Sequence, residues 1–175
     1  MQKLRKIEYE LLFELTKNPR NSDRRLSKIL GVSQATISRT RARLEKSGLL
    51  EYGAILNLEK LGIEIMAFTF TRLRSEKSTE PMNKVKEFIQ QLREQCISRY
   101  PNIIFACGGR GLGMTGVIIS VHRDYADYVQ FEREFRGLLG EYMDRFDTFL
   151  VSLKDKPARE LTFKYLGDYL KELQI

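Results

Sequence analysis

The chain has no tryptophan, one histidine, two cysteines and four prolines among its 175 residues. Each shortage closes off a class of chemistry. His122 is the lone imidazole, followed by Arg123 and Asp124 with no cysteine beside it. No Ser-His-Asp order can be defended around it and no histidine-based metal set exists, so it reads as a structural histidine. Cys96 and Cys107 form no CxxC pair and lack neighbouring ligands, which fits buried free thiols in a reducing compartment. No apolar run approaches the roughly 20 residues of a membrane-crossing helix; the longest are short strands such as Val117–Val121. The opening "MQKLRKIEYELLFEL" has cations but no long apolar segment and no small-residue cleavage site, unlike a signal peptide. The expectation is a cytoplasmic protein that touches no membrane and carries no metal or cofactor.

What is present is charge, and it is unevenly placed. Charged residues make up 30% of the chain and hydrophobic ones 42%, enough for a soluble surface around ordinary cores. Residues 1–57 carry 12 Lys/Arg against 6 Asp/Glu, whereas residues 58–175 carry 18 against 17. Nearly all of the net +7 therefore sits in the first third. Such asymmetry predicts a polyanion-binding module joined to a near-neutral one.

Leu4, Ile7, Leu11, Leu12 and Leu15 recur at helical spacing and predict a first helix over Lys3 to Lys17. "NPRNS", with Pro19, breaks it. Ser22 can cap a second helix, "DRRLSKIL", with Leu26, Ile29 and Leu30 on one face. Gly31 supplies a tight turn, Ser33 caps a third helix running to Lys46, and Gly48 ends it. "LLEYGAILNL" reads as a linking strand or short hairpin. From Ile63 the order is strand (Ile63–Leu73), amphipathic helix (78–96), two strands around a glycine-rich turn, helix ("DYADYVQFEREFRGLLG") and strand ("DTFLVSLK"). That is the ferredoxin-like βαββαβ order. The expected fold class is α+β: a helix-turn-helix domain at 1–50, a linker strand at 51–62, a ferredoxin-like domain at 63–156 and a C-terminal helix at 157–175. Leu161, Tyr165, Leu166, Tyr169, Leu170 and Leu173 make one apolar stripe on that last helix, expected to pack on the second domain or across a dimer.

The stretch "LGVSQATISRTRARLEKSG" places small polar residues ahead of three arginines. In a helix-turn-helix the third helix enters the major groove and its first residues meet base edges. Ser33, Gln34, Thr36 and Ser38 are short enough to let it sit deep, and Gln34 can pair with adenine. Arg39, one turn on, can reach a guanine or a phosphate. Arg43, with Arg24, Arg25 and Lys28 on the preceding helix, is expected to clamp phosphates. Arg41 is turned away, because a helix rotates about 200° over two residues.

The segment "LSKILGVSQATISRTRARLEKSGLL" resembles the DNA-binding segment of the Lrp/AsnC (leucine-responsive) transcription regulators. "EYGAILNLEKLG" is similar to that family's linker strand, and Gly140 and Thr148 in "LLGEYMDRFDTFLVSL" to its pattern around the last strand. The resemblance implies a sequence-specific regulator that binds pseudo-palindromic double-stranded DNA. It implies a homodimer, or a tetramer or octamer, built through the second domain, which is also the ligand-binding domain. Alternatives are a chromatin-like protein coating DNA with little sequence preference, and an enzyme akin to the sirohaem decarboxylases. The absence of tryptophan and the single histidine weigh against the enzyme.

The segment "GGRGLGMTG" could cradle an anion, with Gly108, Gly109, Arg110, Gly111 and Thr115 as the candidate effector contacts. It lacks the GK[ST] ending of a phosphate loop and sits between strands, so a plain hairpin is the competing reading. Amino-acid-responsive relatives tend to carry a Gly-Asp-aromatic-Asp turn; the matching residues here are Gly113, Met114, Thr115 and Gly116, without either acid. A small anionic effector is therefore expected in preference to an amino acid. Carboxylate pairs such as Glu132 with Glu134 and Asp144 with Asp147 read as surface residues that nothing orients.

Overall fold

The computed structural model describes residues 4–74, 84, 87, 90, 94, 98–140, 142–155, 157–158 and 162–172. The chain divides into two compact units, Met1–Leu56 with Arg159–Ile175, and Asn57–Ala158.

The first unit opens with α1 (Lys6–Lys17), α2 (Asp23–Leu30) and α3 (Gln34–Lys46). Leu11, Leu12 and Leu15 of α1 meet Leu26, Ile37 and Leu44 in one buried cluster, with Leu4, Leu30, Val32 and Leu50 packed around it. Removing any of these leucines down to alanine is worth about 2–5 kcal/mol. Ile29, expected on the same face as Leu26, is half exposed instead. The Ser22 hydroxyl accepts from the Arg25 N–H at 3.3 Å and starts α2. Gly31 ends it at φ 67°, a left-handed conformation that glycine adopts without strain.

Past Gly48 the expected linker strand does not form. Residues 51–57 have no regular secondary structure, and a short 3-10 turn, Glu59–Leu61, follows. A strand needs a neighbour to receive its backbone N–H and C=O groups, and these residues have none among the described residues.

The C-terminal segment also departs from expectation. A 3-10 turn at Phe163–Tyr165 leads into α5 (Leu166–Glu172), and this helix packs against α1 within the first unit. Gly167 allows the approach: a Cβ there would overlap Thr16 Oγ1 and lie 3.2 Å from the Phe13 ring.

The second unit is a four-stranded antiparallel sheet in the order β2-β3-β1-β4. Its strands are β1 (Ile65–Leu73), β2 (Ile103–Gly111), β3 (Met114–His122) and β4 (Met143–Ser152), with α4 (Tyr125–Leu139) between β3 and β4. The ferredoxin-like strand order is the one the sequence predicts. The helix expected at 78–96 lies outside the described residues apart from Lys84, Glu87, Gln90 and Glu94, the first three of which are helical. Phe131, Phe135 and Leu139 of α4 pack with Ile118 on one sheet face, joined by Tyr100, Ile103, Ala106, Met143 and Phe146. His122 is buried in that layer: Nε2 lies 2.8 Å from Ser120 Oγ, and the ring packs against Tyr128 and Phe131. Burial pushes its pKa down, and Asp127, 3.8 Å from Nδ1, partly opposes the fall.

The other face carries the alternate residues. Phe68 pairs across to Phe149 and Ile119, and Ile119 to Phe105. Cys107 is exposed rather than buried, because β2 is an edge strand; Cys96 lies outside the described residues. The carboxylates noted in the sequence do have partners. Arg72 holds Asp144 through Nε at 2.8 Å and keeps its pKa below the usual carboxylate value. Arg145 pairs with Asp147 at 2.6 Å, and Arg136 with Glu132 at 2.8 Å.

Candidate nucleic-acid interface

The interface is built on α3. Ser33 precedes the helix; its Oγ accepts from the Thr36 N–H at 3.1 Å and lies 2.8 Å from the Thr36 hydroxyl. This cap satisfies an N–H that the first turn would otherwise leave open. Ile37, Thr40 and Leu44 point into the core. The opposite side presents Gln34, Ala35, Ser38, Arg39 and Ala42, all exposed and all on one face at helical spacing. Ala35, Ser38 and Ala42 keep the surface low, while Gln34 and Arg39 rise from it. Arg39 Nε donates to the Ala35 carbonyl at 3.3 Å, which lays its guanidinium along the stripe. The stripe holds no acidic residue. Arg24, Arg25 and Lys28 are exposed on α2.

Two predicted residues are placed differently. Thr36 is half-buried with its hydroxyl in the Ser33 cap, so it supports the helix start. Arg43 forms an ion pair with Glu8, a buried carboxylate of α1. Glu8 also accepts from the Arg5 backbone N–H at 2.7 Å. Its signal in the sequence is a carboxylate set between Ile7 and Leu11 on an apolar stripe, which calls for a cationic partner; spacing does not say which one. Arg41 was expected to turn aside and does. It lies 2.9 Å from Asp23 Oδ1, donates to the Asn21 carbonyl at 2.7 Å and donates to the Tyr52 hydroxyl at 3.1 Å. Burial raises the Tyr52 pKa against the lowering charge of Arg41, and Glu45 adds to the rise.

The candidate effector residues lie in the second unit, at the β2–β3 hairpin. Leu112 and Gly113 form its two-residue turn with φ 53° and 71°, the type I′ geometry that suits the twist of a hairpin. Gly108, Gly109, Arg110 and Gly111 are exposed. Thr115 is engaged: its hydroxyl accepts from the Leu73 N–H at 2.8 Å and donates to the Thr71 carbonyl at 3.3 Å. It ties β3 to the end of β1, where the β1–β4 register shifts. Among the described residues, no cluster of three or more His, Cys, Asp or Glu could hold a metal ion, and no helix is long and apolar enough to cross a membrane.

Comparison with known proteins agrees with this geometry. Residues 4–51 match the winged helix-turn-helix DNA-binding family. The HTH-type transcriptional regulator LrpA of Pyrococcus abyssi is 33% identical over 93 residues, 53% of this chain. The chain spans 65% of that relative's length. E. coli AsnC superposes with a TM-score of 0.73 at 18% identity, covering 93% of this chain and 99% of AsnC. The transcriptional regulator NMB0573 of Neisseria meningitidis, solved as an L-Met complex, gives 0.72 at 18% identity over 94% of this chain and 99% of its own. Residues 4–51 thus match a winged helix-turn-helix DNA-binding family, and over most of its length the chain shares the fold of E. coli AsnC.

Proposed function

We propose that the chain is a sequence-specific DNA-binding transcription regulator, not an enzyme, and that it works as a homodimer. The reading rests on the capped α3, whose exposed stripe of Gln34, Ser38 and Arg39 is free of acid and flanked by Arg24, Arg25 and Lys28. Gln34 and Arg39 have the donor geometry to read adenine and guanine edges, and the α2 cations to hold phosphates. A dimer is supported by apolar side chains left exposed among the described residues. On the open sheet face Phe149 is 67% exposed, and in the linker Ile55 and Leu56 are 66% and 61% exposed. Second copies of the sheet and the linker would cover both and give the linker its missing strand partner. Selection from random double-stranded DNA tests the reading. The expected product is a pseudo-palindrome with half-sites centred about one helical turn, or a multiple, apart. A pool that never converges points to a DNA-coating protein and overturns it.

The effector reading follows the same residues. Arg110, with the exposed backbone of Gly109 and Gly111, favours an anion, and Gly113–Gly116 offers no carboxylate to an ammonium group. The N. meningitidis regulator holds L-Met; a neutral amino acid is not expected here. Thermal-shift screening of amino acids beside organic and phosphorylated anions decides. Stabilisation by an anion, lost in Arg110→Ala, supports the site, and stabilisation by a neutral amino acid contradicts it.

A further inference from the structure

Arg41 gathers three parts of the first unit from the edge of α3, between the exposed stripe and the buried Ile37, Thr40 and Leu44. Asp23 belongs to the first turn of α2, Asn21 precedes that helix, and Tyr52 lies beyond α3. The Arg41 side chain is 19% exposed, so water competes weakly for its guanidinium. Leu50 still packs on the core. Beyond it residues 51–56 are exposed and without regular structure. Among the described residues, Tyr52 is the one member of that stretch with a side-chain hydrogen bond back to the helices. A chain leaving a folded unit past a single anchor takes its direction from that anchor.

We propose that Arg41, acting through Tyr52, is a positioning residue that fixes how the linker leaves the DNA-binding unit and so makes the protein selective for half-site spacing. The inference rests on the dimeric regulator reading above. Arg41 itself contacts no DNA, since its donors are turned inward and Asp23 offsets its charge. Inserting half a helical turn, about five base pairs, rotates one half-site to the far side of the duplex. A fixed exit cannot follow that rotation, whereas a released linker of exposed residues can absorb it.

The test uses the full chain and the selected DNA site. Affinity is measured for the selected spacing, for a site with about five base pairs inserted, and for a single half-site. Tyr52→Phe is expected to keep the wild-type melting temperature and half-site affinity. Its preference for the selected spacing falls by roughly tenfold, the size of one hydrogen bond to a charged group. Arg41→Lys loses the planar fork and behaves like Tyr52→Phe. Tyr52→Phe adds nothing in an Arg41→Ala background, because the two residues act as one unit. An unchanged spacing preference in Tyr52→Phe overturns the latch. So does an equal fall in half-site affinity, which would place Tyr52 at the reading surface. If the wild-type chain selects no sequence at all, the regulator reading fails, and the latch with it.

Discussion

Glu8 is 3% exposed on α1, where it accepts from the Arg5 N–H and pairs with Arg43 of α3. Glu8→Ala would leave that N–H open and the guanidinium without its counter-charge. Because the Arg43 side chain is 42% exposed and can regain water, the expected loss is near the low end for a buried pair, about 2 kcal/mol by denaturant titration. Arg43→Ala should cost stability in the same way. Arg39→Ala, on the exposed stripe, should leave stability alone and remove roughly 1–3 kcal/mol of specific binding. Random competitor DNA separates its roles: an equal loss on random DNA would make Arg39 a phosphate clamp. His122 gives a pH prediction. Burial lowers its folded pKa below the value near 6.5 of an unfolded chain. The unfolded state therefore binds the proton more tightly, so stability is full above about pH 6.5 and declines as pH falls below it. The melting temperature should drop on going from about pH 7.5 to about 5.5, with a shallower slope in His122→Gln. Equal slopes in the two proteins would contradict the assignment.

At the scale of elements, α5 and the β2–β3 hairpin make separate claims. Gly167→Ala should gain helix propensity, worth up to about 1 kcal/mol, yet lose more to overlap with α1. Thr16 Oγ1 cannot easily yield, because it donates to the Phe13 carbonyl at 2.8 Å. A net destabilisation of about 1–2 kcal/mol is expected, and a raised melting temperature would show that α5 packs loosely. Leu112 is 82% exposed at φ 53°, so Leu112→Asn forfeits no burial and relieves strain. It should stabilise the chain by about 1 kcal/mol, and a lower melting temperature would rule that account out. The helix caps Ser22 and Ser33, the Gly31 turn and the sheet order were legible because each depends on local chemistry or period. The partner of α5 was not. An apolar stripe states that a helix must be covered, but its periodicity is the same whether a sheet or α1 does the covering. The linker strand failed for a related reason, since alternation marks residues suited to a strand without supplying the neighbour they pair with. Arg41 and Glu8 were illegible as partners of Tyr52 and Arg43 because polar contacts between elements leave no spacing signal.

Across the whole molecule the uneven charge becomes a measurable quantity. With Arg24, Arg25 and Lys28 as phosphate clamps, log affinity should fall with log salt at a slope of roughly −5 for a dimer. A slope near zero would remove DNA from the account. Light scattering should report twice the 20.5 kDa chain mass at DNA-binding concentrations, and a monomer there would break the link between spacing and pairing. The charge asymmetry was visible in the sequence, and so was the apolar alternation of Met66, Phe68 and Phe70 on a sheet with a face to be covered, whereas the cross-strand partners Phe105, Ile119 and Phe149 needed the register. The placement of Arg159–Ile175 with Met1–Leu56 bears on the order of synthesis. On the ribosome the three N-terminal helices emerge first, but the helix that covers α1 emerges after the entire sheet. A nascent chain stalled before residue 159 would carry an unfinished helical unit, so that unit is completed only after the sheet has been made.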